Sequence, residues 1–226
     1  MAYVDKSLGF AGKIRECLNK DFRKMSVVLH KNDLPDDLDL GKIVAIDTET
    51  MGLKPHRDRL CLVQLSSGDG TAHLVQMTNR SYKAPNLKKL ISSPDVKKLF
   101  HFARFDVALL THTFGVSCPN VYCTKIASKL VRTYTDKHGL RTLCNELLGV
   151  DLNKQQQSSD WGADELSSEQ MNYAANDVYY LHKIKARLDK MLEREGRTDM
   201  AQSCFDFIET RTALDLLGDS SDIFEH

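Results

Sequence analysis

The stretch that decides the fold is IVAIDTET, from Ile43 to Thr50. Its apolar, largely β-branched start is typical of a central strand that is buried on both faces. Asp47 and Glu49 follow directly. Side chains two apart on a strand share a face, so both carboxylates point the same way at the end of the strand. Two adjacent anions are costly unless a cation joins them. The pattern D-x-E by itself is nevertheless common by chance.

Outward from this strand, short apolar runs predict further strands over 61–65, 72–76 and 97–102, with a hairpin turn between the first two. The later sequence predicts helices over 86–92, 105–113, 124–134, 139–148, 167–195 and 200–216. Strands that come first, helices that come later and an alternation between them indicate an α/β protein.

Size and composition set the class of protein. The 226 residues suffice for one domain with a full core, and 42% hydrophobic with 27% charged residues is near the average for a soluble globular protein. We find neither an apolar run of the ~20 residues that a membrane span needs nor a signal-peptide pattern, and we expect a cytoplasmic protein. Six scattered cysteines without a CxxC pair argue against a zinc site and a disulfide framework.

The charge balance limits the kind of partner. The chain carries 31 basic and 31 acidic residues, so its formal net charge is zero. A protein that grips long nucleic acid usually has a basic excess, because many phosphates must be neutralised. A nucleic-acid substrate would therefore be short rather than a long duplex.

Two further segments carry candidate acidic residues. In HFARFD, residues 101–106, Asp106 falls in the first turn of a helix, where the helix dipole favours an anion. In YAAND, residues 173–177, Tyr173 and Asp177 are four apart and share one helical face. Taken alone, Asp106 could be an ordinary helix-start residue and Asp177 a surface aspartate beside a half-buried tyrosine.

Considered together, the four acidic residues predict a metal site. Four carboxylates carry a formal charge of −4, which two divalent cations would balance. Oxygen ligands without His or Cys suit Mg²⁺ or Mn²⁺. Two such ions ~3.5–4 Å apart can activate a water on one side of a phosphorus and stabilise the leaving oxygen on the other. The predicted metal ligands are Asp47, Glu49, Asp106 and Asp177.

The trio DTET, HFARFD and YAANDVYYL resembles the three exonuclease motifs of the DEDD superfamily, in order and spacing. A tyrosine four residues before the last aspartate marks the DEDDy branch. From about Ile43 to Arg197 the sequence is similar to the ribonuclease D family, in RLCLVQL, CTKIASKL, HGLRTLCNELLGV and KQQQSSDW. PHRDRLCLVQLSSGDGTA, RTYTDKHGL and LDLLGDSSDIFEH look like the compact nano-RNase C group of alphaproteobacteria.

The resemblance implies a ribonuclease H-like (DnaQ-like exonuclease) α/β fold, a mixed sheet flanked by helices, with the carboxylates at one edge of the sheet. It implies 3′→5′ hydrolysis that releases nucleoside 5′-monophosphates, with the four carboxylates catalytic and Tyr173 positioning the attacking water. Nano-RNase C proteins degrade very short RNAs, dinucleotides included, and form octameric rings. We therefore expect short single-stranded RNA as substrate, activity on DNA left open, and a homo-octamer.

The sequence also divides the chain. The run from Met25 looks like a second, natural beginning, so we read 1–24 as either an N-terminal appendage or a non-native extension, 25–198 as the exonuclease domain and 199–226 as a C-terminal helix and tail. Only 29 residues follow Arg197, too few for the helical nucleic-acid-binding domains that usually follow in ribonuclease D.

Six further residues are candidates for substrate contact. By analogy with the family, the loop of Met51, Gly52 and Leu53 lies against the terminal base, with Leu53 as a wedge. Aromatic faces suit bases of any sequence, so the ring-bearing candidates could stack on or shape the nucleotide pocket, although core packing explains them equally well. These ring-bearing candidates are His101, Phe105 and Trp161.

The sequence leaves open both the role of a group of basic residues and the choice between related functions. The basic residues form either a phosphate-contacting ridge or a solvated face or subunit contact; they are Lys125, Lys129, Arg132, Lys137, His138 and Arg141. For function, one rival is ribonuclease D-type 3′ trimming of structured RNA such as tRNA precursors. The other is a catalytically inactive relative that only binds nucleic acid.

Overall fold

A six-stranded mixed sheet forms the centre of the computed structural model, which describes residues 25–78, 82–152 and 159–217. The strand order is β1-β4-β3-β2-β5-β6. The β2–β3 and β3–β4 pairs are antiparallel, and the other three pairs are parallel. The strands are β1 Ser26–Lys31, β2 Ile43–Thr50, β3 Leu60–Ser66, β4 Thr71–Gln76, β5 Lys97–Phe100 and β6 Val121–Cys123. The predicted mixed α/β fold is confirmed.

Seven helices are described around this sheet. They are α1 Pro85–Ser92, α2 Ala103–Phe114, α3 Thr124–Val131, α4 Leu140–Leu143, α5 Ser168–Tyr179, α6 Leu181–Arg194 and α7 Thr198–Leu216. A π-helical turn, Cys144–Leu148, continues α4. Gly115 ends α2 with φ 66°, a left-handed conformation that glycine adopts without strain. Among the described residues, no helix is both long and apolar enough to cross a bilayer. The predicted appendage 1–24, the tail beyond Leu217 and residues 153–158 lie outside the described parts of the chain.

Strand β2 runs further than its apolar start suggested. Val44, Ala45 and Ile46 are fully buried, as a central strand requires. The pairing with β3 continues through Glu49 and Thr50, because β3 supplies partners along that whole length. Asp47 and Glu49 therefore lie within an interior strand, toward its carboxyl end, rather than directly after it.

The single helix predicted over 167–195 is two helices. Tyr180 separates α5 from α6 with φ −99° and ψ −9°. Helix α5 packs across β2, β3 and β4, whereas α6 packs mainly against α3. The chain must change direction between these two surfaces, and no proline or glycine at the junction signals it. The predicted buried stripe is observed nevertheless, at Ala174, Val178, Leu181, Leu188 and Leu192.

The basic cluster after α3 is partly an interior network. Arg132 is fully buried; it pairs with Glu146 and donates to the Ser128 hydroxyl at 3.1 Å and to the Lys137 carbonyl at 2.9 Å. His138 is also buried, 2.9 Å from the same hydroxyl. Since α3 ends at Val131, the Arg132 side chain leaves the helical face and turns inward. The surface interpretations of Arg132 and His138 are therefore wrong.

The cysteines within the described residues are free and mostly buried. Four are buried and free, and one is partly exposed and free; they are Cys61, Cys118, Cys123, Cys144 and Cys204. Cys17 lies outside the described residues.

We expect Arg132→Ala to destabilise the protein by roughly 2–4 kcal/mol, because it removes a buried, multiply hydrogen-bonded side chain and leaves a cavity. The matched control is Lys129→Ala one turn earlier, an exposed position where the change should stay within about 0.5 kcal/mol. Denaturant unfolding of both variants measures the difference. Equal effects would contradict the structural role of Arg132.

Candidate active site

Three of the predicted carboxylates come together at the centre of the molecule. One carboxylate oxygen from each of Asp47, Glu49 and Asp177 lies within 4.8 Å of the others. The alternation of β2 points Asp47 and Glu49 to one face of the sheet. Helix α5 crosses β2 on that face and supplies Asp177. All three side chains are half-buried.

Asp106 lies beside this group and is held separately. It is buried in the first turn of α2, and its Oδ1 accepts a hydrogen bond of 2.5 Å from the Thr48 hydroxyl. Thr48 was not among the predicted site residues. In β2 the Thr48 side chain points away from the face of Asp47 and Glu49. No local sequence pattern predicts its hydrogen bond to Asp106, which lies 58 positions later in the sequence.

Burial raises the pKa of each of the four carboxylates, and the charges of neighbouring carboxylates add to this shift at Glu49, Asp106 and Asp177. Burial raises the pKa of Asp47 to about 7, against which the Thr48 backbone N–H acts weakly. Burial, followed by the charges of the other three carboxylates, raises the pKa of Glu49 to about 10. The pKa values of Asp106 and Asp177 also lie well above the ordinary range, first through burial and then through Asp47. Without cations, the four groups therefore resist full ionisation at neutral pH.

This donor set fits divalent metal ions. All four side chains offer oxygen atoms, with no histidine or cysteine in the group within 4.8 Å. Hard cations such as Mg²⁺ and Mn²⁺ prefer such ligands. Bound cations would also stabilise the ionised carboxylates, whose pKa values are raised by burial and, at Glu49, Asp106 and Asp177, by neighbouring carboxylates. Asp47, Glu49 and Asp177 thus form an oxygen-donor group of the kind that holds a divalent cation, with the Asp106 carboxylate beside it.

Tyr173 lies one helical turn before Asp177. Burial, then the charges of Asp177, Glu49 and Asp47, raises the pKa of its hydroxyl above the ordinary value. The hydroxyl is therefore protonated at neutral pH and can donate a hydrogen bond. This suits a group that orients a water molecule.

Helix α5 begins with a capping box that anchors it to the preceding loop. The Ser167 side chain accepts from the Gln170 backbone, and the Gln170 side chain accepts from the Ser167 backbone. Gln170 also donates to the Asp160 carbonyl at 3.1 Å, which fixes the loop that carries Trp161. Trp161 is 3% exposed, and its ring lies 6.1 Å from that of Tyr173. It supports the tyrosine from inside the protein and presents no open face to a base.

The loop after β2 is open on one side and closely packed on the other. Leu53 is 85% exposed and Met51 is 54% exposed, so both could meet a ligand. A Cβ on Gly162 would come within 2.6 Å of the Met51 sulfur, and a Cβ on Gly52 within 2.2 Å of the Asp58 carboxylate. Glycine at position 162 therefore lets the Met51 side chain approach the segment that carries Trp161, and glycine at position 52 lets the loop fold closely on its own Asp58.

The segment before Asp106 contains one feature that the sequence did not reveal. Phe102 has φ 71° and ψ 47°, a left-handed conformation that is rare for a bulky residue and that recurs at functional sites. It is 46% exposed, and the Lys125 ammonium lies 4.1 Å from its ring centre. The predicted neighbours are less open: His101 bonds Thr124 at 2.9 Å, and Phe105 packs on the core. Burial lowers the pKa of His101 to about 3, so it is neutral.

Comparison with known proteins agrees with this geometry. Residues 30–193 match the family model for a 3′-5′ exonuclease domain. The chain therefore belongs to the 3′-5′ exonuclease family.

Within that family, the chain is similar to NrnC of Brucella melitensis. The structure of NrnC bound to pGG shares 56% identity, with a TM-score of 0.86 over 89% of this chain and 99% of that one. NrnC with bound Mg²⁺ shares 55% identity, with a TM-score of 0.84 over 89% of this chain and 100% of that one. Ribonuclease D of Gluconacetobacter diazotrophicus is 36% identical over 160 residues, 71% of this chain. The chain spans about two fifths of the length of that ribonuclease D, 40%.

We expect Glu49→Gln to raise the melting temperature of the chelator-treated protein at pH 8. Between the ordinary glutamate pKa and about 10, the folded protein keeps a proton that the unfolded chain has lost, so stability falls as pH rises through this window. Glutamine removes this slope, and each kcal/mol regained should add about 2–4 °C.

Thermal melts between pH 5 and pH 8 measure the effect. The control is Glu165→Gln, which changes an exposed glutamate outside the cluster. Its melting temperature should vary with pH as that of the unsubstituted protein does. A pH slope that is unchanged in Glu49→Gln would show that ionisation of Glu49 does not limit stability.

Proposed function

We propose that this protein is a metal-dependent 3′→5′ exoribonuclease that hydrolyses short single-stranded RNA, dinucleotides included, to nucleoside 5′-monophosphates. The observation that carries the proposal is the convergence of Asp47, Glu49 and Asp177, with Asp106 and Tyr173 adjacent, in a chain of the 3′-5′ exonuclease family. A solely nucleic-acid-binding role would not require four repelling carboxylates together.

The cofactors in this proposal are two divalent cations, Mg²⁺ or Mn²⁺, held by Asp47, Glu49, Asp106 and Asp177. When bound, two such ions activate a water for attack on phosphorus and stabilise the leaving oxygen. The solved structure of B. melitensis NrnC with bound Mg²⁺ supports this choice.

The protein's own groups orient the reactants. The Thr48 hydroxyl holds the Asp106 carboxylate in place by its hydrogen bond. Tyr173 donates its hydroxyl proton in a hydrogen bond to the attacking water, which aligns that water with the scissile phosphate. Leu53 and Met51 contact the terminal bases, and Phe102 with Lys125 borders the path of the chain. Each of these roles belongs to the proposal.

The preference for short substrates has two supports. B. melitensis NrnC, at 56% identity over almost its whole chain, has been solved bound to pGG. The present chain has zero net charge and so lacks the basic excess that is usual in proteins that neutralise many phosphates. Binding would then come chiefly from terminal bases and the scissile phosphate, which a dinucleotide already supplies.

We also infer a homo-oligomer, an octameric ring, from the resemblance to the nano-RNase C group. Strand β1 lies at the end of the sheet, and it and the residue before it carry exposed apolar side chains that a second copy could cover. These are Met25, Val28 and Leu29, which are 36–39% exposed.

We expect Tyr173→Phe to slow single-turnover hydrolysis by roughly 10²–10⁴-fold while Mn²⁺ binding is unchanged, because it loses only the orienting hydroxyl. Tyr179→Phe is the matched control: that hydroxyl donates to the Ser26 carbonyl, away from the carboxylates. The control should retain its turnover. Full activity of Tyr173→Phe at every pH would show that the ring serves only packing.

The experiment that tests the proposed substrate compares a 5′-phosphorylated dinucleotide with a 20-mer RNA. We expect kcat/KM for the dinucleotide to equal or exceed that for the 20-mer. With one or two phosphates contacted, affinity should fall only about 3- to 7-fold between ~50 and ~200 mM salt, at a slope of about −0.7 per phosphate.

Two controls accompany this comparison. Chelator and the Asp177→Ala variant should both abolish release of mononucleotides. A strong preference for the 20-mer, or for a tRNA precursor, with a steep salt slope would favour the ribonuclease D-type alternative. Hydrolysis that persists with chelator and in Asp177→Ala would contradict the active site itself.

A further inference from the structure

Gln64 is the most anomalous polar residue near the active site. It lies in the middle of β3 and is fully buried. Within the described part of the chain, neither its Nε2 nor its Oε1 has a hydrogen-bond partner. Buried amides are almost always hydrogen-bonded, because an unpaired one loses its interaction with water and gains nothing in return. We therefore expect the Gln64 side chain to form a hydrogen bond in the functional state of the protein.

The strand register shows where that partner lies. Gln64 is directly opposite Asp47 in the antiparallel β2–β3 pair. Side chains opposite each other share a face, with Cβ atoms about 4.5–5.5 Å apart. On the other side, in β4, the opposite residue is Leu74. Along β3 the same-face neighbours are Leu62, which is apolar, and Ser66, whose hydroxyl already donates to the Thr71 carbonyl.

A second buried glutamine in the same sheet shows the contrast. Gln76 in β4 is 2% exposed and lies on the same face, opposite Leu62. Its Nε2 donates to the Ala163 carbonyl at 2.9 Å, and its Oε1 accepts from the Lys31 ammonium at 2.5 Å. Both side-chain polar atoms of Gln76 are therefore hydrogen-bonded within the fold. Those of Gln64, which lies opposite a carboxylate of the site, are not.

We propose that Gln64 is a positioning residue of the metal centre, whose amide N–H donates to the Asp47 carboxylate, directly or through one buried water, when the cations are bound. The inference rests on the metal site of the proposed function. A hydrogen bond to the carboxylate restricts its rotation and presents its remaining lone pairs to a cation. Outer partners of this kind typically change metal affinity by about 10- to 100-fold.

The test measures metal binding without substrate. We expect Gln64→Met, which keeps the volume and removes the donor, to weaken Mn²⁺ binding about 10- to 100-fold in calorimetry. Its melting temperature with chelator should be unchanged or higher, because an unsatisfied buried amide has been replaced by an apolar group. A residue that only filled space would show no change in Mn²⁺ affinity.

Gln76→Met is the matched control. It breaks hydrogen bonds that exist, so it should lower the melting temperature and leave the Mn²⁺ affinity of the folded protein as it was. Asp47→Asn separates this inference from the proposed function. If Asp47→Asn binds Mn²⁺ normally, the proposed metal site is wrong. If Asp47→Asn loses binding while Gln64→Met retains it, only the role of Gln64 is overturned.

A measurement on the unsubstituted protein covers the case in which Gln64→Met does not fold. With ¹⁵N-labelled glutamine, the side-chain amide resonances of Gln64 should shift when Mg²⁺ is added, while those of Gln76 stay in place. Resonances of Gln64 that do not respond to saturating Mg²⁺ would contradict the proposal.

Discussion

Repulsion among four carboxylates is the constraint on which the rest of this structure depends. Asp47, Glu49 and Asp177 meet within 4.8 Å, and Asp106 adds a fourth buried charge beside them. Such an arrangement opposes folding unless cations or protons compensate it. The site must therefore be assembled by elements that are stable for other reasons. Strand β2 supplies that stability, since its residues Val44, Ala45 and Ile46 are fully buried and it lies between β3 and β5.

The remaining parts of the site are held by contacts from outside the acidic group. Thr48 fixes Asp106, and the capping box at Ser167 fixes the helix that carries Tyr173 and Asp177. Trp161 fills the space behind the tyrosine. These contacts limit how far the carboxylates can move apart to relieve their repulsion. A preorganised anionic site of this kind binds cations without a large rearrangement.

The exposed residues around the site contrast with this rigid centre. Met51, Leu53 and Phe102, which lie close in sequence to Glu49 and Asp106, present apolar surface to solvent. Phe102 in addition holds a left-handed backbone conformation at the start of α2. Exposed apolar groups beside buried carboxylates are compatible with the nucleic-acid substrates of the 3′-5′ exonuclease family.

The sequence by itself predicted four of the six strands and most of the helices from local periodicity, and it predicted the acidic group from the joint occurrence of three short motifs. The apolar run before Asp47, the i, i+4 spacing of Tyr173 and Asp177, and the helix-start position of Asp106 are all short-range patterns. Only the tertiary structure decided which side chains support them. The Thr48 bond to Asp106, the place of Gln64 opposite Asp47 and the inward turn of Arg132 join residues that are distant in sequence or follow the end of a helix. The division of the long helix at Tyr180 also depends on tertiary contacts, because its two parts pack on different surfaces. Such features depend on which surfaces meet after folding, and no periodicity within one segment encodes that.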